Sequence, residues 1–102
     1  MSLSVTMNKK IQKKLFVLYE VKDYINNSLF YIAIDLQNKK LNYYNNYDDT
    51  SRPILSIDYL EQDKNMAGFP NICRGTSNWV IAQMYKATLS NNFPETLNYN
   101  SL

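Results

Sequence analysis

The feature that most constrains this chain is the run Leu29-Phe30-Tyr31-Ile32-Ala33-Ile34-Asp35-Leu36. A strand sends alternate side chains to opposite faces, and here both sets are apolar almost throughout. Such a segment needs strands on either side and cover on its faces. The pattern therefore predicts a central, buried strand over 29–36. The rest of the chain must supply its neighbours.

Two flanking segments have a suitable composition. Residues 15–22 (Leu-Phe-Val-Leu-Tyr-Glu-Val-Lys) are dominated by β-branched and aromatic side chains, which favour extended backbone. Tyr24-Ile25-Asn26-Asn27 and Gln37-Asn38-Lys39-Lys40 read as turns, since asparagine tolerates left-handed angles and hydrogen-bonds its own backbone. A polar, tyrosine-rich strand over 40–47 completes a three-stranded meander spanning 15–47. Residues 1–14, polar and lysine-bearing, read as a mobile arm or a short amphipathic turn.

Beyond Asn45–Pro53, a break dense in turn formers, two segments admit two readings. In 54–62, Leu55, Ile57 and Tyr59 alternate as in a strand, while Ile54, Ile57 and Leu60 would share a helical face. In 77–89 a helix would turn Val80, Met84 and Ala87 inward, and a strand is the other choice. Residues 63–76 form a loop holding both glycines, Pro70 and Cys73.

An internal repeat favours strands in both places. Leu15-x-Val17-x-Tyr19-x-x-x-Asp23 recurs as Leu55-x-Ile57-x-Tyr59-x-x-x-Asp63. Ser28-x-Phe30-x-Ile32-Ala33 recurs as Ser77-x-Trp79-x-Ile81-Ala82, and Leu41-Asn42-Tyr43 as Leu97-Asn98-Tyr99. The three matches are collinear, so the preferred architecture is a single, mainly β domain over 1–102. It has two duplicated β-meanders, 15–47 and 54–102, packed on each other because neither can bury its apolar face alone. The alternative is an α+β fold with helices at about 53–63 and 77–89.

Composition narrows function by exclusion. The chain has no histidine, one cysteine and two distant glycines. Histidine-based acid–base relays, histidine-ligated metals, Cys-x-x-Cys pairs and glycine-rich phosphate loops are all excluded. No cofactor, metal or catalytic residue is expected. The N-terminus lacks an apolar signal core and the longest apolar run is far too short for a membrane span. A soluble, intracellular protein with no membrane partner is the expectation. Asp48-Asp49 beside Glu20 or Asp23 reads as turn chemistry rather than a metal cluster, and Cys73 as a small buried hydrophobe.

Two binding surfaces remain. Side-by-side meanders leave open strand edges and a groove between the copies, suited to an extended peptide or to self-association. Tyr19, Phe30, Tyr59 and Trp79 are the candidates for lining that groove. The alternative is a nucleic-acid surface, because residues 1–40 carry seven lysines against three acidic residues. There Lys9, Lys10, Lys13, Lys14, Lys39 and Lys40 would meet phosphates, and Tyr43 and Tyr44 would stack on bases.

The length of 102 residues, the Asn/Tyr/Lys/Ile bias (Asn45-Asn46, Tyr43-Tyr44, Lys39-Lys40) and the two divergent motif copies resemble the small orphan proteins of filamentous viruses infecting hyperthermophilic archaea. The resemblance implies a viral origin, a location in the host cytoplasm and a non-enzymatic role. It brings no catalytic residues.

Overall fold

The computed structural model describes residues 2–48, 50–60 and 68–101. The chain is mainly β. Its strands are β1 (Leu3–Lys13), β2 (Phe16–Asp23), β3 (Ser28–Asp35), β4 (Lys40–Tyr44), β5 (Leu55–Asp58) and β6 (Thr96–Ser101), with one helix, α1 (Arg74–Ser90), before β6. The strands form one antiparallel sheet in the order β5-β4-β3-β2-β1-β6.

The meander over 15–47 forms as β2, β3 and β4, with β3 central. Its two turns are built alike. Asp23 Oδ1 accepts from the Asn26 backbone N–H and Asp23 Oδ2 from the Asn26 amide, at 3.1 and 2.9 Å. Asp35 does the same for Asn38, at 3.0 and 2.8 Å. The residues that follow, Asn27 and Lys39, take positive φ (51° and 59°) and return the chain.

The N-terminal segment is a strand, not an arm. Leu3, Val5 and Met7 alternate with Ser4, Thr6 and Asn8, so one face is apolar and the other wettable. Val5 and Met7 are fully buried opposite Asp23 and Val21. A bulge between Lys9 and Ile11 then switches faces, leaving Ile11 beside Leu18 on the reverse of the sheet.

The second meander does not form, because residues 74–90 are helical. As a strand, 77–87 would mix apolar and polar side chains on both faces, with Gln83 beside Ile81 and Lys86 beside Met84. As a helix it gathers Val80, Ile81, Met84 and Ala87 into one buried stripe. Burying the three large members contributes about 1.5–3 kcal/mol each, outweighing the low helix propensity of Gly75, Thr76 and Thr88. Asn91 ends the helix in a left-handed conformation (φ 50°). The 55–59 copy of the motif does form a strand over its first four residues; Asp63 lies outside the described residues.

The helix covers one face of the sheet and closes the main core, in which Tyr19, Phe30, Ile32, Ile34, Leu41 and Tyr43 meet Val80 and Met84. At its start Thr76 Oγ1 donates to the buried Asp23 at 2.7 Å, tying α1 to the end of β2. Ser77, also buried, accepts the Phe69 N–H at 3.1 Å and pins the preceding loop. The reverse face carries only a small cluster of Leu18, Ala33 and Tyr44 with Ile11, Phe16, Tyr31 and Tyr47. Among the described residues no helix is long and apolar enough to cross a membrane.

Candidate functional site

The helix occupies the space in which the groove between two meanders was expected. Tyr19 and Phe30 are fully enclosed and Tyr59 nearly so. They cannot line a surface groove, because α1 and Phe69 are packed on that face of the sheet. The Tyr19 hydroxyl donates to the Pro94 carbonyl at 2.6 Å. Burial, aided by the negative charge of Glu95, pushes its pKa up to about 12. Trp79 is the exception among the four. It stays half-buried, its ring 5.9 Å from that of Tyr99 on β6.

The expected nucleic-acid surface is dispersed as well. Tyr43 and Tyr44 are successive residues of β4 and point to opposite faces. Tyr43 stacks on Phe69 in the main core (5.2 Å, 11°), whereas Tyr44 packs edge-on to Tyr47 on the reverse face (5.1 Å, 89°). They cannot form one stacking platform. The Lys9 ammonium is engaged with the Phe93 carbonyl (2.9 Å), Glu95 (3.0 Å) and Gln12 (2.6 Å). Lys10 sits in the bulge near Glu20 at 3.9 Å. Lys13, Lys14, Lys39 and Lys40 do lie at one end of the sheet, where the β1–β2 and β3–β4 turns are joined by Leu36 N–H to Leu15 O at 3.0 Å.

What the fold builds instead is an open edge at β6. The Lys9 N–H bonds the Glu95 carbonyl at 2.8 Å, which fixes the phase of the antiparallel ladder. Leu97, Tyr99 and Ser101 therefore turn their backbone groups toward Met7, Val5 and Leu3. The N–H and C=O groups of Thr96, Asn98 and Asn100 point outward, with no backbone partner among the described residues. The strand contains no charged residue and no proline. On its helix side Leu97 and Pro94 join Gln83, Lys86, Ala87 and Ser90 around a cleft of about 130 Å³. Tyr99 lies farther along the same face and is 41% exposed.

The sequence points to open strand edges without saying which strand supplies one. The signal for β6 is the matched pair Leu41-Asn42-Tyr43 and Leu97-Asn98-Tyr99, and both copies are strands whose Leu and Tyr face the helix. Lying outermost in the sheet, with no strand beyond it among the described residues, is a property of topology and not of composition.

Among the described residues no group of three or more His, Cys, Asp and Glu could hold a metal ion. At the helix start, the Thr76 N–H facing the sulfur holds the Cys73 thiol below its ordinary range. Comparison with protein-family models, curated proteins and solved structures finds no match.

Proposed function

We propose that the chain is a non-enzymatic protein- or peptide-binding adaptor of viral origin that captures an extended segment on the free edge of β6. The observation carrying this reading is the outward row of backbone groups at Thr96, Asn98 and Asn100, set beside the cleft under Leu97. An added strand would complete those hydrogen bonds and place alternate side chains against the cleft and against Tyr99. The viral origin rests on the resemblance in length and composition.

The test is capture on an array of extended peptides, repeated with Asn98→Pro. That residue's N–H points away from the sheet, so proline there removes a docking bond while sparing the ladder to β1. Capture by the parent chain and its loss in the variant are expected. A silent array together with a strictly monomeric protein overturns the reading.

A second reading, nucleic-acid binding, is favoured by one observation: Lys13, Lys14 and Lys39 are exposed at the same end of the sheet, with Lys40 beside them. It requires a salt-sensitive gel shift with single- or double-stranded DNA. No shift at low salt removes it.

A further inference from the structure

We infer that the segment received by the β6 edge is β6 of a second copy, giving a symmetric dimer with one continuous twelve-stranded sheet. The inference rests on β6 being a docking edge and adds the identity of its partner. It follows from the phase of the ladder. The outward groups belong to Thr96, Asn98 and Asn100, which are evenly spaced about Asn98. Two such edges meeting antiparallel about a two-fold axis through Asn98 bring Asn98 opposite Asn98 and Thr96 opposite Asn100. Each is then a hydrogen-bonded pair, so every outward N–H and C=O of the three residues finds a partner. A shift of one residue would leave them all unmatched.

The side chains agree with the same register. In the intervening pairs, where side chains approach most closely, Tyr99 of each copy comes opposite Leu97 of the other, on the helix side. The half-buried Leu97 and the exposed Tyr99 are thereby covered, and the incoming phenol ring lies beside the cleft of about 130 Å³ that Leu97 and Pro94 border. On the reverse face only Asn98 and the Thr96–Asn100 pairs meet, so no like charges are opposed. The two-fold axis runs perpendicular to the sheet and leaves both helices on one side. The interface is isologous and closes on itself, which stops growth at two copies.

The test is sedimentation equilibrium of the full chain, alongside Asn98→Pro and Asn98→Lys, with circular dichroism to verify folding. The parent is expected to show a concentration-dependent dimer of the 12.0-kDa chain. Asn98→Pro should be monomeric, and Asn98→Lys, which sets two ammonium groups across the axis, should weaken the dimer by about fivefold or more. Should the proline variant misfold, the lysine variant at an exposed position still decides. A parent that stays monomeric yet captures peptides on the array overturns the dimer alone and leaves the docking edge intact. A dimer that both variants leave unchanged uses another surface, and that also overturns it.

Discussion

The two edges of the sheet are built differently. β5 has four residues, follows Pro53 at a distance of one residue and directs Ser56 and Asp58 outward. Short length, proline and charge are the usual devices that keep an edge from pairing. β6 has six residues and no charge among them; it too follows a proline, Pro94, at a distance of one residue, so length and charge are what set the two edges apart. It is nevertheless held firmly from inside, by the ladder to β1 and by Tyr19 and Lys9, which bind the carbonyls of Pro94 and Phe93 just before it. An edge that is anchored inside and unguarded outside is pre-organised for a partner. That contrast can be tested by loosening the anchor or by guarding the edge.

The largest effect should come from alkaline pH. Tyr19 has an ordinary pKa of 10.0 when unfolded and about 12 when folded. Between those values the unfolded chain has lost a proton that the folded chain keeps, so stability falls as pH rises from 10 to 12. The loss reaches about 3 kcal/mol. Because the Tyr19 hydroxyl anchors the entry to β6, Trp79 fluorescence, which reports on Tyr99 beside it, should change before the overall circular dichroism does. Urea melts read by both signals check this.

Lys9→Met keeps the aliphatic stem but removes the charged hydrogen bond to the Phe93 carbonyl, and should cost about 1–2 kcal/mol. Its ion pair with Glu95, whose side chain is largely exposed, adds little. Tyr19→Phe removes one neutral hydrogen bond to Pro94 and should cost about 1 kcal/mol. In both variants amide exchange should accelerate in β6 and stay unchanged in β5; equal acceleration at both edges would break the contrast.

The smallest effect on stability, and the sharpest on binding, should come from a matched pair. Asn98→Lys and Ser56→Lys each place a cation on an outward edge position. Each should alter stability by no more than about 0.5–1 kcal/mol. Only Asn98→Lys should weaken peptide capture.

Much of this fold was legible in the chain. The two-faced apolar run at 29–36 required a central strand, and the Asn-rich turns around Asp23 and Asp35 set the meander. β1 is hidden in the sequence although Leu3, Val5 and Met7 alternate cleanly, because lysines and small polar residues on the wet face resemble a solvated arm. At 77–87 the repeat points to a strand and the spacing of Val80, Ile81, Met84 and Ala87 to a helix, and the spacing decides the structure. The groove residues Tyr19, Phe30 and Tyr59 failed as a site for one reason. Large aromatics on the inner face of a strand are what a small core consumes first, and of the four only Trp79, near the rim of the helix, escapes burial. The edge itself could not be read from residues, since it depends on which strand comes last in the sheet.

The most direct test of β6 as the docking edge is residue-resolved amide exchange, with and without the tightest peptide found on the array. Alone and dilute, Thr96, Asn98 and Asn100 should exchange fast and Leu97, Tyr99 and Ser101 slowly. With peptide bound, the fast set should become protected while Ser56 and Asp58 on β5 do not change. Protection that appears at Ser56 and Asp58, or that leaves Thr96, Asn98 and Asn100 fast in the bound state, would contradict the account.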